Sequence, residues 1–243
     1  MIEPLLLAAT RVRTFHGALL LTNASGFFFE RAGRLFLVTG RHVLCDPPSG
    51  HHPDRIEIEL HSDPDNLARS TWFSIPLFRD GKPLWRQGVD AAGAIDVAVI
   101  EIERPALPQG TVYRAFTPGH LMDAYGQVEV GTSVLVVGFP LGFHDTLHHM
   151  PVVRQAGIAS SFGLRFQGQG YFLTDARTHR GTSGAPVVMR VRDGEAGYGD
   201  LPWVLLGVHT ATLDVDTRDR VADEALGLNC AWYADILLTL TEG

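Results

Sequence analysis

Ser183 stands in the stretch from Thr174 to Pro186, with Gly181 two residues before it and Gly184 directly after it. Glycine allows backbone angles and close approaches that a Cβ forbids, so a tight turn here can aim the Ser183 hydroxyl at a substrate carbonyl. The same turn leaves the N–H groups of Gly181 and Ser183 free to converge on one point, the arrangement that stabilises the oxyanion of an acyl transfer. Gly, Ser and Thr also build ordinary turns, so the reading depends on a base and an orienting partner elsewhere in the chain. His42 lies in the apolar run from Leu37 to Leu44, and Asp96 precedes the run Val97 to Ile100. Taken alone, Asp96 reads as a turn residue at a strand edge. Joined to the other two, it completes a set whose chain order of His, Asp, Ser is one of three unrelated orders that assemble the same triad. An order beginning with serine would carry glycine two residues after the nucleophile, and that position is Ala185.

These segments resemble the chymotrypsin-fold (trypsin-like) serine peptidases, in particular the protease domain of the bacterial HtrA-like and glutamyl-endopeptidase-like branch. The likeness extends to Gly26–Phe29, Leu135–Gly142, Gly157–Ser160 and Leu206–Thr210. It implies an all-β fold of two antiparallel six-stranded β-barrels with a short C-terminal helix. A single peptidase domain would span 1–243, with the N-terminal barrel over about 1–115 and the C-terminal barrel and helix over about 120–243. It also implies a serine endopeptidase that works through an acyl-enzyme: His42 as base, Asp96 as its orienting partner, Ser183 as nucleophile, and the Gly181 and Ser183 amides as the oxyanion hole. No cofactor and no metal are required, and the partner is a protein or peptide substrate. Two departures stand out: Arg41 replaces the usual alanine before the histidine, and Thr182 the usual Asn or Asp before the serine. Arg41 is expected to lower the pKa of His42 by like-charge repulsion. Fold alone never guarantees activity, so a catalytically silent peptide-binding module is the alternative.

Within that resemblance, Arg177 occupies the position six residues before the serine, where trypsin-like relatives that select Lys or Arg carry an aspartate. Basic substrates are therefore expected to be rejected. Thr178 and His209 fall where glutamyl-endopeptidase-like enzymes bind a substrate carboxylate, with Thr210 next in the chain and Thr212 on the facing wall. Glu or Gln on the acyl side of the cut is the expectation, with small apolar residues as the alternative. A charged His209 would bind Glu, and the preference would weaken as pH rises and the charge is lost.

The elements that must hold these groups are strands. Short apolar runs alternate with Gly and polar breaks from Thr14 to Val43, and Ile56 to Leu60 alternates strictly, with no sustained helical period. Pro105 to Gly119, rich in proline, is the expected crossing between barrels, and the second barrel is expected to begin near Val128. The loop from Phe143 to Pro151 is expected to line the cleft; its histidines, like His51 and His52, read as solvated loop residues and not as metal ligands. Arg192 to Leu201 reads as a hairpin tip. Ala231 to Leu240 is the best helix candidate, with Trp232, Ile236, Leu237 and Leu240 able to share a face.

The 243 residues carry 20 Lys plus Arg against 27 Asp plus Glu, a net charge of −7, which argues against phosphate-backbone binding and hence against a nucleic-acid partner. The first ten residues contain an acid and a proline ahead of a short apolar run, unlike a signal peptide or a membrane span. Cys45 and Cys230 show no zinc or redox spacing and read as two unpaired buried thiols. Together these features favour the cytoplasm. No appended regulatory module is expected, and no amino-terminal cleavage is expected to be needed for activity.

Overall fold

The computed structural model describes residues 2–122, 128–191, 199–212 and 227–242. The punctuated apolar runs become strands. β1 (Ala9–His16), β2 (Leu19–Arg31), β3 (Arg34–Thr39), β4 (Arg55–His61), β5 (Ser70–Pro76), β8 (Trp85–Asp90) and β9 (Gly93–Ile102) form one antiparallel sheet in the order β5-β4-β1-β2-β3-β9-β8. β6 (Phe78–Arg79) and β7 (Lys82–Pro83) make a separate two-stranded ribbon. β10 (Ser133–Gly138), β11 (Val152–Gly157), β12 (Tyr171–Thr174), β13 (Pro186–Arg190), β14 (Trp203–Thr212) and β15 (Asn229–Tyr233) form the second sheet, ordered β11-β10-β13-β14-β15-β12. The expected all-β architecture is present, with barrel-like sheets and a short C-terminal helix; the first sheet carries seven strands and the second six.

Each sheet curls around its own apolar filling. Val12, Leu37, Ile56, Ile58 and Ile100 pack inside the first, and Val134, Val136, Phe172, Val187 and Leu206 inside the second. A third cluster joins them: Phe27, Phe36 and Val97 meet Val137, Phe139, Val188 and Val208. The segment between the sheets contributes Phe116, which packs edge-on against Phe27 and trades backbone hydrogen bonds with Phe28 and Glu30. The faces that lie between the sheets are thus welded by apolar burial, which fixes groups from one sheet against groups from the other.

The helix expected over Ala231 to Leu240 is shorter than that. Ala231, Trp232 and Tyr233 belong to β15, paired with β14 on one side and, for Ala231 and Trp232, with β12 on the other, and only Ile236–Leu240 forms helix α2. The ladder satisfies backbone groups that a helix would have had to satisfy alone, and this tertiary pairing overrides the helical spacing of the apolar residues. The expected hairpin tip at Arg192 to Leu201 falls mostly outside the described residues. Among the described residues, no helix is long and apolar enough to cross a membrane.

Candidate active site

Pairing register brings His42 and Asp96 together. β3 ends at Thr39, opposite Ala98 of β9, and continuing that antiparallel register would set Arg41 against Asp96. Instead the chain turns at Gly40 into the single-turn helix α1 (Arg41–Leu44), while β9 runs on, so that Asp96 lies within the strand and not at its start. The freed carboxylate holds the next residue twice: Oδ2 is 2.7 Å from His42 Nδ1, and Oδ1 accepts the His42 backbone N–H at 2.9 Å. Two acceptor oxygens on one histidine fix the ring plane and place the proton on Nδ1, leaving Nε2 as the free base.

The His42 pKa is raised above its usual 6.5. Burial pulls it down, but the hydrogen bond to Asp96 and the Asp96 and Asp46 charges more than offset that. Arg41 lowers it as expected from like charges, yet is the weakest of these influences.

Ser183 is held from the first sheet as well as the second. Its carbonyl accepts the Ser25 N–H at 2.9 Å, and Gly184 N–H donates to His209 O at 2.7 Å. Ser25, on β2, also donates its hydroxyl to Gly181 O at 2.8 Å and accepts the Phe139 N–H at 2.9 Å, tying the serine turn to the end of β10. Ser25 escapes sequence reasoning because no spacing marks it; its role arises from a contact 156 residues away in the chain.

Gly184 has φ +88°, and a Cβ there would overlap the Ser25 carbonyl oxygen and the Thr39 hydroxyl and lie 2.9 Å from Thr39 Cα. Gly184→Ala is therefore expected to destabilise the protein by about 3 kcal/mol or more, combining left-handed strain with overpacking. Chemical denaturation checks this, and a loss below about 1 kcal/mol would show that the turn has slack.

The Arg180 carbonyl accepts the Leu141 N–H at 2.5 Å. In a trans peptide the carbonyl and the next N–H point in opposite directions, so anchoring the Arg180 oxygen turns the Gly181 N–H the other way. Among the described residues, neither Gly181 N–H nor Ser183 N–H donates to a protein acceptor. The Ser183 hydroxyl itself donates to Thr210 O at 2.5 Å rather than to His42.

The remaining sequence-predicted residues do not all gather in one place. His209 is 2% exposed on β14, its Nδ1 has no hydrogen-bond partner among the described residues, and burial, followed by the nearby His42, lowers its pKa to about 4. At neutral pH it is an uncharged imidazole, not the expected imidazolium. Thr178 Oγ1 donates to Asn229 Oδ1 at 2.6 Å, and Asn229 Nδ2 in turn bonds Ala176 O. Asn229 is a second residue that sequence reasoning missed. Arg177 is exposed and borders an open groove with Asp175, Ser133, Arg154 and Gln155. Thr210 is buried and contributes its carbonyl; Thr212 ends β14, and its side chain lies outside the described residues.

A family model described as "Trypsin-like peptidase domain" matches residues 24–196, a span that includes His42, Asp96 and Ser183. The chain belongs to the trypsin-like peptidase family. No curated protein matches it. Among solved structures, one titled "Crystal structure of the serine endoprotease from Yersinia pestis" superposes with TM-score 0.53 at 17% identity, covering 96% of this chain and 61% of that one. This likeness shows the chymotrypsin fold, and the chain spans about three fifths of that neighbour's length.

As in the sequence reading, both cysteines of this trypsin-like chain are unpaired; Cys230 is buried, whereas Cys45 is only half-buried. Glu59, His144 and His149 each bring one potential ligand atom within 4.8 Å of the others, a gathering that the solvated-loop reading of these histidines did not foresee.

Proposed function

We propose that the protein is a serine endopeptidase that cleaves peptide bonds through an acyl-enzyme. His42 Nε2 takes the proton of Ser183 as the hydroxyl attacks the carbonyl. Asp96 stabilises the imidazolium, and the Gly181 and Ser183 amides receive the oxyanion; His42 then protonates the leaving amine, and water reverses the sequence to release the acid. The observation that carries this reading is the double grip of Asp96 on His42, at 2.7 and 2.9 Å, which leaves Nε2 as a base of defined tautomer.

The Ser183–Thr210 hydrogen bond favours a second reading, a silent binding fold, because it turns the nucleophile from its base. Rotation about the serine Cα–Cβ bond is a small rearrangement, and such hydrogen bonds often form only once substrate is present. A fluorophosphonate probe separates the two readings. Labelling that disappears in Ser183→Ala is expected for the peptidase, and folded protein that resists labelling at every pH establishes the binding module.

For the acyl-side pocket, we propose recognition of an amide or acid side chain by His209, supported by its unpartnered Nδ1 and by Thr178 beside Asn229. Because burial keeps His209 neutral until about pH 4, Gln should be preferred to Glu at pH 7. The Glu-to-Gln ratio should climb as pH falls toward 5, since a bound carboxylate favours the protonated ring. Values of kcat/KM on matched peptides with Glu, Gln, Ala, Leu and Lys check this; a best substrate of Lys or Leu, or selectivity unchanged in His209→Ala and His209→Gln, rejects it.

A further inference from the structure

Glu59 is 7% exposed on β4, which pairs with β1 on one side and β5 on the other. Ser70 Oγ donates to Oε1 at 2.8 Å, and Arg11 Nη2 forms an ion pair with Oε2 at 2.8 Å. The loop after Gly142, which belongs to the second sheet, brings two histidines to this carboxylate. His149 Nδ1 is 2.8 Å from Glu59 Oε1, the distance of an ion pair. A ring nitrogen and a carboxylate oxygen this close share a proton, and a divalent cation that takes the same lone pairs can replace that proton.

His144 completes the set. Its Nδ1 is 2.7 Å from Gly142 O and must donate to it, which leaves an unprotonated Nε2. This is the backbone-anchored tautomer by which metal-binding histidines are oriented. Arg11 Nη1 is 3.2 Å from both ring nitrogens of His144. No atom can lie on both lone-pair axes, which diverge, so the guanidinium rests over the ring face, and its other neighbours are Glu59 Oε2 and the Trp72 ring at 4.8 Å. The in-plane direction of Nε2 is therefore not taken by Arg11. His149 reaches inward because its backbone is left-handed, φ +56°, a conformation unusual for a residue with a side chain.

We propose that Glu59 Oε1, His144 Nε2 and His149 Nδ1 form a site for a divalent transition metal of the zinc class, which staples the 143–151 loop to β4. One ligand atom from each of the three residues lies within 4.8 Å of the others. A tetrahedral zinc with bonds of about 2.0–2.2 Å needs its ligands about 3.3 Å apart, so the widest pair closes by up to about 1.5 Å while the Glu59–His149 pair, at 2.8 Å, opens by about 0.5 Å. His144 and His149 are only half-buried and ride on a loop, so they supply that movement. Two neutral imidazoles and one carboxylate suit zinc better than calcium or magnesium, which prefer oxygen ligands. The neighbouring Arg11 charge weakens the site without filling it. The proposal stands independently of the role of Ser183.

The test uses tag-free full-length protein, stripped with a chelator and titrated with zinc chloride against a chromophoric competitor, with cobalt(II) as a spectroscopic stand-in. The expected result is one equivalent bound and a tetrahedral cobalt spectrum. His144→Ala and His149→Ala should weaken binding more than about a hundredfold, beyond the loss typical of an outer-sphere partner. Zinc should raise the melting temperature of the wild type but not of Glu59→Gln. A double His51→Ala, His52→Ala variant should bind as the wild type does. No stoichiometric binding, or binding that survives His144→Ala and His149→Ala, overturns the proposal and leaves the cluster a hydrogen-bonded latch.

Discussion

Ser183→Ala is expected to lower kcat by about a millionfold while leaving the fold intact. The members of such a set act as a unit, so removing the nucleophile costs nearly as much as removing all of them, and only binding and the oxyanion amides remain to catalyse. The structural loss is small: among the described residues Ser183 Oγ makes one hydrogen bond, to Thr210 O, and a neutral hydrogen bond contributes about 0.5–1.5 kcal/mol. The turn is otherwise held by main-chain contacts, Ser25 N–H to Ser183 O and Gly184 N–H to His209 O, which alanine keeps. Steady-state hydrolysis of a peptide substrate beside a thermal melt checks both halves. Turnover within tenfold of wild type in Ser183→Ala would mean that another group is the nucleophile.

How far the sequence discloses this arrangement depends on the range of the contacts. The strands are visible because alternation and turn residues are local, and His42, Asp96 and Ser183 are visible because chemistry restricts which residue types can serve. Asp96 falls a few residues inside its strand for a physical reason: β9 begins at Gly93 because β8 pairs with it there, Asp90 opposite Gly93 and Val89 opposite Ala94, and the residues around Asp96 carry no local sign of that pairing. The run from Ala231 to Leu240 fits a helix and a strand buried on both faces equally well, and only pairing with β12 and β14 decides between them. Ser25 was not legible, since a serine before an apolar run has no local sign that it will bond Gly181 O and Phe139 N. The charge state of His209 was misjudged because type and position reveal a histidine but not its burial, and burial is the first cause of its lowered pKa. The pairing of Glu59 with His144 and His149 joins positions far apart in the chain through the docking of one sheet on the other.

Asp96→Asn is expected to fold normally and to lose about 10⁴-fold in kcat, about 5.5 kcal/mol of barrier. The asparagine can still accept the His42 backbone N–H through its amide oxygen, so α1 stays in place. Its other oxygen, however, has become an NH₂ group facing His42 Nδ1, which must then give up its proton and leave the hydrogen on Nε2, where the base is needed. A pH profile distinguishes this from simple misfolding. In the wild type, kcat/KM should rise with pH as His42 deprotonates, with an inflection above 6.5, because burial is outweighed by the bond to Asp96 together with the Asp96 and Asp46 charges. Losing Asp96 removes the bond and the larger charge but keeps burial and Arg41, both of which lower the pKa, with only Asp46 opposing them. The residual activity of Asp96→Asn should therefore show its acid limb shifted to lower pH. A variant that is weakly active with an unmoved acid limb would indicate that Asp96 only supports the backbone at α1, and near wild-type turnover would remove it from the mechanism altogether.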